Sequence, residues 1–407
     1  MEFCLLPGYD SMQSNPSLLP MRTGDLKKPI GELVLGPICF CILCGILYAG
    51  LTPFTTHFPN EVRWSESPNG LRFGPRGMIR ASGSIQWTGA EDRGPCTLEI
   101  WLQPIRIWQS GTILAFYTPE YAISFSVSQW MDSILLMHGL PGAASKVTTE
   151  RMAADHVLRE GQPSLITITS DGRRAEILAN GILAEPPRNF PLIGRDLAAQ
   201  FIVGNSPLED NSWSGLLRGL AFYDRQLTAQ QIRDHSDAWT KQGQPGSSAT
   251  DGLLALYLFK ENGGKLIHSE IATGPNLSIP DYYQILHAKF LSPPWADFSL
   301  DRSYVQDVVV NIAGFIPVGF FFCAYFSVKR RIRHPALTTI LIGAALSLTI
   351  EILQSYIPVR DSSTTDVITN TLGTILGVML YGWEPCKALL YKLTGIPATS
   401  SGAPAPN

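Results

Sequence analysis

Asp307-Val308-Val309-Val310-Asn311-Ile312-Ala313-Gly314 and Asp366-Val367-Ile368-Thr369-Asn370-Thr371-Leu372-Gly373 are near-copies of one another, both set in the apolar C-terminal third of the chain. Each opens a hydrophobic run with an Asp and carries an Asn one helical turn later. Two membrane helices built on them would hold the same polar pair at the same depth, and polar groups in hydrocarbon are costly unless buried against a partner. The pair therefore marks a helical membrane domain and the place in it to look for function.

Working outward, the averages hide this segregation. The 407 residues are 45% hydrophobic and 16% charged with a formal net charge of -3, and no basic stripe with interleaved aromatics points to nucleic acid. Four windows come close to the ~20 residues that cross ~30 Å of hydrocarbon. Leu33–Leu51 (nineteen residues) and Val308–Val328 (twenty-one) carry no charge. Ala336–Ile357 is interrupted by Glu351 and Gln354, and Val367–Trp383, the shortest at seventeen, carries Asn370.

Charge placement sets the orientation. Lys329-Arg330-Arg331-Ile332-Arg333-His334 lies between the second and third windows, and Arg22, Lys27 and Lys28 precede the first. Basic loops stay in the cytoplasm, so both termini are expected there and residues 55–306 outside. The first window lacks a small-x-small cleavage site and reads as an uncleaved anchor. The chain then divides into a cytoplasmic tail (1–29), a first span (30–54), an outer domain (56–297), a membrane domain (307–384) with spans at 307–328, 336–357 and 366–383, and a second cytoplasmic tail (385–407).

Of seven cysteines only Cys96 falls in the outer domain, so no disulfide staples it, and paired C-x-x-C metal spacings are absent. That domain must hold itself by its core. From Glu61 to about Thr240 it reads as short period-two runs, such as Thr97–Leu102, Thr112–Tyr117, Ala122–Val127 and Leu165–Thr169. Asp171-Gly172 and Asn180-Gly181 give hairpin turns around Ala175–Leu178, and Thr228 reads as the N-cap of a helix. The pattern predicts an all-β antiparallel sandwich.

Thr97-Leu98-Glu99-Ile100-Trp101-Leu102-Gln103-Pro104 and the run Trp213–Thr228, with its Arg225-Gln226-Leu227-Thr228 turn, resemble the early and closing strands of concanavalin A-like, laminin-G-like jelly rolls. The resemblance implies glycan or protein recognition at one edge, sometimes with calcium. No ordered set of Asp and Asn supports calcium here, Asp210 and Asn211 fitting a polar turn equally well. No cofactor is expected. Trp64, Trp108 and Trp130 either stack on sugars or fill and rim the core. Gly252–Gly264 resembles the strand that usually opens such a domain yet follows the closing helix. A permuted sandwich, with 251–280 returning beside the first strand, explains this; a truncated second copy is the alternative. Pro293-Pro294-Trp295 leads back to the bilayer.

Asn311–Phe320, Glu351-Ile352-Leu353-Gln354, Arg360 and Asp366–Gly373 with Gly377 resemble the VanZ-like family of small bacterial membrane proteins, with Leu33–Phe54 as its first span. The fold expected is thus a four-helix membrane bundle with a jelly roll inserted after span one. Asn311 and Asn370 lie about 6 Å inward of Asp307 and Asp366, and Glu351 roughly 9 Å below Ile357, at 1.5 Å per residue. Two readings compete for this cluster. In one, the acids cap helices, Asn and Gln bridge them and Gly373-x-x-x-Gly377 lets helices approach. In the other, Glu351 and Gln354 face an outward cleft in which Arg360 holds an anionic group of a lipid-linked ligand; this is favoured for Glu351, Gln354 and Arg360, and the structural role for the asparagines. The resemblance implies a contribution to resistance against teicoplanin-type glycopeptides at the bacterial plasma membrane. A membrane enzyme using Glu351 as acid or base, and a membrane-anchored adhesion or scaffold protein, are the competing functions.

Overall fold

The computed structural model describes residues 30–394 apart from 67–68, 88–93, 119–122, 142–146, 247–251, 288–289, 298–301 and 329–331. The N-terminal tail, Lys329, Arg330 and Arg331, Ala122 and the first residue of the 251–280 segment lie outside the described residues.

The outer region is a sandwich of two antiparallel sheets. One runs β1 (Val62–Glu66), β2 (Asn69–Phe73), β13 (Gly215–Tyr223), β4 (Cys96–Pro104), β9 (Ser164–Ser170), β10 (Arg174–Ala179), β11 (Ile182–Asn189), with β14 (Leu253–Tyr257) also on β13. The other runs β15 (Leu266–Ile267), β16 (Leu277–Ser278), β3 (Ile79–Ala81), β12 (Gln200–Val203), β5 (Ser110–Tyr117), β6 (Phe125–Trp130), β7 (Ser133–Pro141), β8 (Val147–Ala154). Alternate residues of both sheets, among them Leu98, Ile100, Phe116, Phe125, Phe201 and Phe222, interdigitate in one core. A one-turn helix, α2 (Gly194–Leu197), precedes β12. Cys96 is buried in that core, and burial pushes its thiol up, which makes it inert as a nucleophile.

Period two gives each strand one inward face; β9 and β13 are buried on both. The reason is α3 (Ala229–Gln242), which lies over their outer face with Ile232 and Trp239 packed on Leu165, Leu178 and Tyr223. It starts where Thr228 accepts from the Gln231 N–H, closing a capping box. Glu99, outward on β4, lies beneath it and accepts from Tyr223 Oη (2.8 Å) and Trp239 Nε1 (2.9 Å) and bonds His235 Nδ1 (3.0 Å).

The returning strand differs from expectation. β14 pairs beside the closing strand β13, at Leu220–Tyr223, while β2 pairs the other end of β13 at Gly215–Leu217. β13 is longer than β2 can cover, and β14 satisfies the backbone groups left over.

Among the described residues three helices are long and apolar enough to cross a membrane by length and composition: α1 (Ile30–Leu51), α5 (Arg302–Val328) and α6 (Pro335–Gln354). The fourth, α7 (Thr364–Gly382), is roughly 28 Å long at 1.5 Å per residue. It is less apolar because it is central: Thr365, Thr369, Asn370 and Thr374 are buried against its neighbours α5 and α6. Gly373 and Gly377 seat it directly on the α5 backbone. The segment after Gly382 is not a plain tail, since α8 (Glu384–Thr394) tucks Leu390 against the bundle.

Sandwich and bundle are packed together. Ile357 and Val359, past the end of α6, join Phe58, Tyr117, Ile202 and Tyr283 in a common apolar cluster. Ser292 and Ser363 form a bridge beside α4 (Pro294–Asp297), with the Ser292 N–H donating to Ser362 O and the Thr364 N–H to Ser292 O, both at 3.0 Å.

Candidate functional site

At the sandwich end of the bundle, α1, α5, α6 and α7 surround a cavity of ≈ 760 Å³. Asp307, Asn311, Glu351, Gln354, Arg360, Asp366 and Asn370 all line it. On α5 the lining residues Tyr304, Asp307, Asn311 and Gly314 fall at the three-and-four spacing of one helix face. Gly314 keeps that face open, for a Cβ there would meet nothing within 4 Å.

Each polar side chain has a particular setting. Glu351 is buried, and its Oε2 accepts from the Ser363 N–H (2.8 Å), the N-cap residue of α7. A carboxylate at a helix start is well placed against the dipole. Gln354 Nε2 donates to Gly50 O (2.8 Å), and Arg360 donates to Thr52 O (2.9 Å) and Ala49 O (3.3 Å). These two therefore dock and cap the C-terminal end of α1. The sequence suggests that Arg360 holds an anionic group; in the structure its Nε and Nη2 face carbonyls, because α1 ends beside it.

The two near-copies are also not equivalent. Asn311 Nδ2 donates to Asp366 Oδ1 (2.8 Å), whereas Asn370 Nδ2 turns to Ser347 Oγ (2.9 Å) on α6. Neither Asp is an N-cap. Ser363 caps α7 and leaves Asp366 in its first turn, while α5 begins five residues before Asp307, beyond the reach of its unsatisfied N–H groups. Asp307 is exposed and has no hydrogen-bond or ion-pair partner among the described residues.

Sequence reasoning missed Ser347 and Ser363. Both left a trace: Ser347 is four residues before Glu351 on its helix face, and Ser363-Thr364-Thr365-Asp366 is a capping pattern.

In the sandwich, Trp108 (82% exposed) and Trp130 (56%) stand outside the core, and Trp64 packs partly against it. Ser110, the cross-strand partner of Trp130, lines a cleft of ≈ 450 Å³ together with Arg106, Gln109, Asp210 and Asn211. Asp210 accepts from Tyr283 Oη (2.6 Å) and Asn211 Nδ2 donates to Thr112 Oγ1 (3.0 Å), as in a polar turn. No group of His, Cys, Asp or Glu suited to a metal ion occurs among the described residues.

Residues 252–384 match the VanZ/LLP1 family model. Over 137 residues the chain is 33% identical to Protein VanZ of Enterococcus faecium, an alignment that takes in 34% of this chain and 76% of that protein. The chain belongs to the VanZ family. Outside the VanZ portion, residues 80–233 match the concanavalin A-like lectin/glucanases superfamily, in agreement with the sandwich. Solved structures similar to it include a candidate carbohydrate-binding protein of Bacteroides ovatus ATCC 8483 (13% identity, 55% of this chain and 58% of that one, TM-score 0.35). Another is the SAP-like pentraxin of Limulus polyphemus (15% identity, 55% of this chain and 93% of that one, TM-score 0.32). This VanZ-family chain is thus a membrane protein carrying a lectin-like sandwich between its first and second apolar helices.

Proposed function

We propose that the bundle holds the polar headgroup of a membrane-embedded envelope amphiphile in the cavity between its four helices, at the outer face of a bacterial plasma membrane. The observation that carries this is the convergence of seven polar side chains, from three helices and one loop, on a single cavity. Hydrocarbon tolerates such a cluster only where it faces protein, water or ligand. The sandwich, packed on the loop that carries Arg360, recognises a glycan through the cleft beside Trp108 and Trp130. Membership of the VanZ family supports a role in lowering susceptibility to teicoplanin-type glycopeptides, through the amphiphile bound.

Gly314→Leu tests the cavity. A Cβ at Gly314 meets nothing within 4 Å, so the side chain starts into open space, and leucine is the better helix former by roughly 0.8 kcal/mol. Polar lipid retained by the purified full chain is expected to fall about tenfold, ~1.4 kcal/mol, with the thermal midpoint held or raised. Unchanged retention would remove the cavity from the reading. For orientation, a reporter active only outside the cytoplasm is expected to work when inserted within residues 60–300 and to be silent when fused after Ser327; the reverse pattern would overturn the topology.

A further inference from the structure

The cavity's charges are unbalanced. Asp307, Glu351 and Asp366 line it, and among the described lining residues the one base is Arg360, whose Nε and Nη2 donate to the carbonyls of Ala49 and Thr52 at the end of α1. Acids outnumber the base even when Glu351 carries a proton. An anionic phosphate entering as the recognised group would meet repulsion and few donors.

A second observation is independent of charge. Gln354 Oε1, Thr365 Oγ1 and Asn370 Oδ1 are buried without a hydrogen-bond partner, on side chains that are only 9%, 8% and 5% exposed and line the same cavity. A buried acceptor left unmatched is costly, and two of these three atoms are amide oxygens, which only accept. The missing partner is therefore a donor of N–H or O–H bonds.

Positive charge and several donors on one small group describe a primary ammonium. A quaternary ammonium has the charge and no N–H, and no metal-suited group of ligands occurs among the described residues. We infer that the cavity takes the primary ammonium of an amphiphile's headgroup, which rests on the headgroup reading above and specifies its chemistry.

The test uses the full-length protein in nanodiscs of phosphatidylcholine carrying equal minor fractions of phosphatidylethanolamine and phosphatidylglycerol. Lipids that stay bound on release are counted by native mass spectrometry. Phosphatidylethanolamine is expected to be enriched about tenfold over both others, a preference of ~1.4 kcal/mol. Asp307→Asn is expected to cut that enrichment severalfold while total bound lipid persists; Asp307 is exposed and has no partner among the described residues, so the fold is expected to hold. Free ethanolamine that displaces the bound phosphatidylethanolamine would support ammonium recognition and point to a soluble amine as an equal source. Enrichment of phosphatidylglycerol, or equal retention of all three, overturns the ammonium assignment and leaves headgroup binding standing. No retained lipid in the unaltered protein overturns both.

Discussion

Gly377→Leu is expected to lower the melting midpoint of the bundle in detergent by roughly 6–12 °C, the equivalent of about 3 kcal/mol. A Cβ at Gly377 would lie 2.1 Å from Ile316 O and 2.8 Å from the Gly319 Cα, and one at Gly319 would lie 2.0 Å from Thr374 O. These neighbours are backbone, so no rotamer change relieves the collision and α7 must move off α5. Because α7 carries Asp366 and Asn370, lipid retention should fall with stability. Gly314→Leu is the control, since it adds the same side chain to the neighbouring helix at a position where the Cβ meets nothing within 4 Å. An unchanged midpoint in the Gly377 variant would mean that α5 and α7 do not meet at these glycines.

Glu99→Ala is expected to destabilise the sandwich by about 3–5 kcal/mol, read as a drop in the denaturant midpoint of tryptophan fluorescence. One carboxylate serves Tyr223 Oη, Trp239 Nε1 and His235 Nδ1, all in a buried setting under α3. Truncation leaves a void and three polar groups without their acceptor, and removes the tie between α3 and β4. Glu99→Gln keeps the volume and one acceptor oxygen, so an intermediate loss is expected. If alanine and glutamine variants melted with the parent, the network would contribute nothing and α3 would be held by Ile232 and Trp239 alone.

Much of this was legible in the chain. Period-two runs gave the strands, Asn180-Gly181 gave the turn between β10 and β11, where both residues adopt positive φ (51° and 77°), and Thr228 gave the start of α3. These signals are local: backbone dihedral preference, side-chain alternation and caps act over a few residues. What sits opposite a face was not legible. Period two puts Thr97, Glu99 and Trp101 on one side of β4, and by itself suggests solvent there; only the fold brings α3 over them. The same holds for β14, whose sequence marked it as a strand and whose position depended on how much of β13 was left uncovered.

The near-repeat draws the line most clearly. Sequence alone determined that both copies are helical, that each sets an Asp, an Asn and a Gly along one side, and that the polar residues belong to a membrane bundle, because helical periodicity and apolar length are properties of the segment itself. The tertiary structure decided what each copy does. α7 lies among the other helices, so Gly373 touches the Ile312 backbone and Asn370 bonds Ser347; on α5 Gly314 and Asp307 face the cavity, where a Cβ on Gly314 meets open space and Asp307 has no partner among the described residues. Identical residues at identical spacing took different roles because partners across helices are fixed by long-range packing, which a local pattern does not encode.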